Sequence, residues 1–110
     1  MPLSEKVRIA TYIPDLPNET YQNLLQVIAR EFTYAFGGCT IMRSLDGMYL
    51  SECGDVVSDY VNVIYTDTPL SLRENGEVIG TYTGELRESV FSALEEETIL
   101  VTVESVFHAE

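Results

Sequence analysis

The sequence has no tryptophan, one histidine (His108) and two cysteines (Cys39 and Cys53). A structural zinc site draws four ligands from closely spaced pairs, a spacing these three positions do not supply, so neither a metal nor a cofactor is expected. Two cysteines in a chain without an export signal read as reduced thiols. Basic residues are scarce as well: six against eighteen acids, for a net charge of −12. Residues 1–60 hold eight acids and four bases, and 61–110 hold ten acids and two bases. A field of that sign repels phosphate backbones and anionic lipid, which argues against nucleic acid or a membrane surface as partner and leaves a basic protein as a minority alternative to a plainly solvated surface. No apolar run approaches the roughly 20 residues that span a bilayer. The opening Met1-Pro2-Leu3-Ser4-Glu5-Lys6 is not a basic region followed by an apolar one, so the expected compartment is cytoplasmic.

What is present suffices for a core. The chain is 110 residues long, with 45% hydrophobic and 10% aromatic residues, which matches one domain over 1–110. Lys6 to Ile13 alternates as a strand, ended by Pro14 and Pro17. Asn18 then caps a helix whose stripe Tyr21, Leu24, Leu25, Ile28, Phe32, Ala35 and Phe36 keeps the helical period up to Gly37-Gly38. Strand periodicity resumes at Cys39. Asp46-Gly47 reads either as a tight hairpin turn or, preferably, with Gly47 marking a bulge in a long strand. In the second reading the strands are Thr40–Glu52 and Val56–Thr66, and the turn is Cys53-Gly54-Asp55.

Asp67-Thr68-Pro69 breaks the next strand. Leu70 to Gly84 holds Asn75-Gly76, Gly80 and Gly84 without a sustained period, and reads as a long loop or a small hairpin. Thr83 caps a second helix, Glu85 to Glu97, on the stripe Leu86, Val90, Ala93 and Leu94. Glu95, Glu96 and Glu97 would end it against the helix dipole, a choice that a cationic partner would relieve. Thr98 to Phe107 closes the chain as a strand.

Strand-helix-strand-strand-helix-strand order is α+β and ferredoxin-like, β-α-β-β-α-β, an antiparallel sheet with two helices on one face. Val7, Ile9, Val61, Val63, Ile99, Val101 and Val103 are expected to face the helices. Ala10, Tyr12, Met42, Tyr60, Ile64, Leu100 and Val106 would form an outer face too apolar to stay wet, covered most simply by a second copy. The runs Phe36-Gly37-Gly38-Cys39-Thr40-Ile41, Leu45-Asp46-Gly47-Met48-Tyr49 and Val61-Asn62-Val63-Ile64-Tyr65-Thr66-Asp67 resemble small bacterial proteins of unknown function with this strand order. The resemblance covers roughly residues 7–67; it implies the fold and the long second strand, and no activity.

No catalytic residue is assigned. Cys39 and Cys53 have no base near in sequence, and Gly80-Thr81-Tyr82-Thr83-Gly84 lacks the lysine of a phosphate loop. Arg8 and Glu104 share a parity that suits a cross-strand ion pair. Arg8, Tyr12 and His108 are the candidate ligand-binding residues, because all three fall on the outer face. The leading expectation is a non-catalytic oligomeric module that binds a small ligand or a protein. The rivals are a small-molecule enzyme with its site between stacked sheets, and an acidic adaptor or inhibitor of a basic partner.

Overall fold

In a computed structural model, which describes residues 3–94 and 99–109, the chain runs β1 (Leu3–Pro14), α1 (Glu19–Phe36), β2 (Thr40–Leu50), β3 (Val56–Thr68), α2 (Leu72–Leu94) and β4 (Leu100–Ala109). The strands form one antiparallel sheet in the order β2-β3-β1-β4. This is the expected ferredoxin-like β-α-β-β-α-β arrangement. Both helices pack on one face of it: Leu25, Ile28 and Phe32 of α1, with Ile79 and Val90 of α2, meet Val7, Ile9, Ile13, Ile64 and Ile99 in one core.

Helix α1 forms as its sequence dictates. The Asn18 side chain accepts the Thr20 amide at 2.8 Å, and Gly37, at φ 94°, sits where only glycine is unstrained and returns its amide to the Thr33 carbonyl. Burial of its three core side chains contributes on the order of 2 kcal/mol each. Ala35, at the margin of the stripe, is exposed.

Four expectations are corrected. Helix α2 begins at Leu72, so most of 70–84 is helix and no loop or hairpin stands there. Ser71 caps it by accepting the Glu74 amide, and a kink at Asn75 (φ −120°, ψ 15°) absorbs the Asn-Gly pair. Thr83, expected as a cap, lies mid-helix and donates its hydroxyl to the Ile79 carbonyl. Ile79, Tyr82, Leu86, Val90 and Leu94 meet the core at a helical period, and their burial outweighs about 0.5–1 kcal/mol lost at each helical glycine. The end of this helix at Glu95–Glu97, and Thr98 of the last strand, lie outside the described residues.

Secondly, the bulge is at Arg43–Ser44 rather than Gly47, where the β2–β3 register shifts between Met42 and Leu45. The long-strand reading holds nonetheless, with the turn at Ser51–Asp55 and Gly54 at φ 86°. Ser44 adopts φ 54°, uncommon for a side-chain-bearing residue, and is pinned there. Its amide donates to Asn62 Oδ1 at 2.8 Å and its hydroxyl to Asp15 Oδ2 at 2.6 Å.

Thirdly, β3 has the opposite parity. Thr11 pairs with Ile64, Ile9 with Thr66 and Ile13 with Asn62, so Ile64, Thr66 and Asn62 lie under the helices while Val61, Val63 and Tyr65 face outward. The polar members are tolerated because their partners are at hand: Asn62 holds Ser44 and Asp15, and Thr66 donates to the Gly38 carbonyl at 2.7 Å. Ile64 is therefore core, fully buried, and leaves the outer-face set.

Fourthly, Tyr60 has the parity of Ile64 but stands clear of the helices, at the root of an arm. β1 pairs with β3 only as far as Val61, with one more bond from the Asp15 amide to the Tyr60 carbonyl, so Gly47–Leu50 and Val56–Asp59 pair with one another alone and project. The molecule measures 48 × 26 × 24 Å, and the arm exposes Met48, Tyr49, Leu50 and Val56.

Candidate ligand site on the outer sheet face

Side chains facing away from the helices follow from the register. β1 presents Arg8, Ala10 and Tyr12; β3 presents Asp67, Tyr65, Val63 and Val61; β4 presents His108, Val106, Glu104, Thr102 and Leu100; β2 presents Met42 and Leu45. Among the described residues no helix lies on this side. Val63 and Ala10 are almost fully buried there, while Met42, Leu45 and Leu100 remain substantially exposed. The face is thus an apolar band with one ionic cluster toward the β1 N-terminus.

Arg8 is the centre of that cluster. Directly opposite Asp67, it donates from Nε to Oδ1 at 2.7 Å and from Nη2 to Oδ2 at 3.0 Å, a bidentate pair. Its guanidinium carbon stands 4.2 Å from the Tyr65 ring centroid, a cation–π contact. His108 Nε2 lies 3.0 Å from the same Asp67 Oδ2. The hydrogen bond from Arg8, opposed by partial burial and aided by His108, holds the Asp67 carboxyl below its ordinary range. Asp67 in turn raises the pKa of Arg8, with Tyr65 and Glu104 adding to the pull. Glu104 is the β4 neighbour of Arg8, as the parity argument requires, yet the guanidinium hydrogen bonds go to Asp67, which presents both oxygens to the fork.

Arg8 and His108 are therefore brought together, through Asp67. Tyr12 is not with them. It lies four residues along β1, roughly 13 Å away at strand spacing, and lines a separate crevice of about 180 Å³ with Pro14, Gly47, Tyr49 and Tyr60. A second crevice, of about 210 Å³, opens against the cluster between the α1 C-terminus and the sheet edge, with Asp67, Tyr65, Thr40, Cys39 and Phe36 in its wall. Asp67 and Tyr65 escape the sequence reading, which ends that strand at Thr66 and turns its valine face inward. The alternation Val61, Val63, Tyr65, Asp67 was the available signal. Among the described residues no three His, Cys, Asp or Glu side chains converge as metal ligands, and no helix is long and apolar enough to cross a membrane.

The cluster offers a planar cation, an oriented imidazole and an aromatic face, which suits holding a small polar ligand. No family model and no curated protein matches the sequence. Solved structures match its fold. A nitrogen regulatory PII-like protein, CPII, from Thiomonas intermedia K12, described as bound to ADP, AMP and bicarbonate, superposes with a TM-score of 0.56 at 14% identity, covering 99% of this chain and 100% of that one. A phage SAM lyase in complex with S-methyl-5'-thioadenosine gives 0.53 at 15% identity, covering 94% and 90%. A divalent cation tolerance protein, CutA1, from Thermus thermophilus gives 0.48 at 18% identity, covering 96% and 85%. At such identities the first two likenesses establish the ferredoxin-like fold and assign no family.

Proposed function

We propose that the 110 residues act as one domain, a non-catalytic module that associates with further copies of itself through the outer sheet face and takes a small ligand at the Arg8–Asp67–His108 cluster. The observation that carries this reading is the outer face itself. Met42, Leu45 and Leu100, with partly buried Val61, form an apolar band that no described element of the chain covers, and Tyr49 of the arm, exposed and of the same parity, extends it. Such an area is normally buried in a contact, and a copy of the same chain presents the matching surface. The net charge of −12 opposes this contact, so screening by salt should strengthen it.

A ligand at the cluster would lie where one copy meets the next. Two proteins of this fold are described with ADP and AMP, or with a thioadenosine, which makes adenosine compounds the first members of a ligand panel. The strongly acidic chain favours weakly charged members over polyphosphates. The hydrogen bond between Asp67 and His108 supports a second reading, a small-molecule enzyme at the same place, since a carboxylate that orients an imidazole is the usual preparation of a general base.

The test is thermal unfolding against that panel, because a ligand bound only by the folded state stabilises it by roughly 2.7 kcal/mol at a hundred times its Kd. A rise in Tm that disappears in Arg8→Gln and His108→Gln supports the site. No rise with any compound, or a rise that both variants keep, contradicts it. Turnover of a binding compound, abolished in His108→Gln, would replace the module reading with the enzyme.

A further inference from the structure

On the side of the molecule away from the outer sheet face, α1 and α2 leave a groove between them of about 290 Å³. Its floor is apolar: Leu24 and Ile28 from α1, Leu86 and Val90 from α2. Val27 stands at its margin, 60% exposed, and Val78, 63% exposed, lies beside it on α2. One tie spans the helices, Tyr82 donating its hydroxyl to Glu31 Oε1 at 3.2 Å. Partial burial and the Glu31 carboxylate raise the pKa of that phenol.

Two shallower depressions lie along α2 on either side of the groove, one walled by Glu77, Val78, Thr81, Tyr82 and Glu85 and the other by Glu85, Glu88, Ser89, Ser92 and Ala93. From Glu77 to Ala93 is roughly 24 Å at 1.5 Å per residue, the length of an α-helix of about 16 residues. The charged lining is of one sign. Glu31 and Glu85 line the groove, Glu77 and Glu88 the depressions beside it, and no lysine or arginine is among the lining residues.

We infer that this groove is a docking surface for a cationic amphipathic helix of another protein, its apolar stripe on Leu24, Ile28, Leu86 and Val90 and its lysines or arginines on the four glutamates. An apolar groove between two helices takes an amphipathic helix by anchors at i, i+3, i+4 and i+7, and an acidic rim selects a basic polar face. A second copy of this chain is the wrong occupant, since it would set acidic rim against acidic rim. Because the groove lies across the molecule from the outer sheet face, it stays open whether or not the sheets associate.

The experiment is fluorescence anisotropy with a labelled leucine/lysine peptide of about 16 residues. The control peptide has the same composition, scrambled so that its leucines share no face. The amphipathic peptide is expected to bind at least about tenfold more tightly than the control, the equivalent of some 1.4 kcal/mol. Val27→Lys/Val78→Lys, two exposed positions whose change spares the core, should cancel that advantage, and Glu85→Gln/Glu88→Gln should flatten the dependence on salt. Equal binding of the two peptides would reduce the effect to bulk charge and overturn the proposal. So would unchanged binding by the valine variant with its helical circular dichroism intact. A change in oligomer mass in that variant, with peptide binding unaltered, would make the groove a self-contact and equally end it.

Discussion

Thr11 offers the sharpest test of the packing. It sits on β1, one of the two inner strands, opposite Ile64 on one side and Val101 on the other, fully buried, and among the described residues its Oγ1 has no hydrogen-bond partner. An unpaired buried hydroxyl carries a desolvation penalty of about 1–3 kcal/mol. Thr11→Val keeps the β-branched shape and replaces the hydroxyl with a methyl, so it removes the penalty and adds apolar burial. The expected gain is about 1–2 kcal/mol. With m on the order of 2 kcal/mol/M, the urea midpoint should rise by about 0.5–1 M at unchanged m. Circular dichroism at equal protein concentrations for both forms separates this from any effect of association. An unchanged or lowered midpoint would show that the hydroxyl is satisfied in solution, and would refute the assignment.

Three further outcomes follow from the same packing. Phe32→Ala empties the centre of the core and should cost about 3–5 kcal/mol by urea unfolding. Because the folded-state pKa of Asp67 is depressed, its contribution is present in full above the unfolded carboxylate value near 3.8 and is lost as pH falls below it toward the folded value. Asp67→Asn should lower stability at pH 7 by about 1 kcal/mol and flatten this part of the acid dependence in urea melts from pH 7 to 3. Cys39 precedes β2 and Cys53 follows it, so both thiols should be free by non-reducing mass spectrometry, where a Cys39–Cys53 bond would contradict the long strand.

The parts of the fold legible in the sequence are those whose signals are local. Asn18, the four-turn stripe and Gly37 specify α1 within twenty residues, and alternation specifies β1 and β4. The parity of β3 was not legible, because Asn62 and Thr66 are acceptable inside only through partners 18 to 47 residues away. Hydrophobicity alone points the valines inward. The first half of α2 was hidden by Asn75 and three glycines, whose poor propensity is overridden by the burial of Ile79 and Tyr82's packing against Phe36, ring centroids 5.3 Å apart. At the site, parity placed Arg8 and His108 on one face, but the carboxylate joining them depends on the β1–β3 register, which no local pattern encodes.

Self-association through the outer sheet face is the central claim, and light scattering on three forms tests it most directly. Leu100, 51% exposed on that face beside Tyr12, becomes Leu100→Lys; Tyr34, exposed on the helix side, becomes Tyr34→Lys as the control. Each change moves the net charge of −12 one unit toward zero, so added repulsion is not the cause of any dissociation. A buried unpaired lysine should break the contact. The expected result at tens of micromolar and moderate salt is an oligomer for the wild type and Tyr34→Lys, and a folded monomer for Leu100→Lys. A monomeric wild type, or an oligomer that survives Leu100→Lys, would contradict the account.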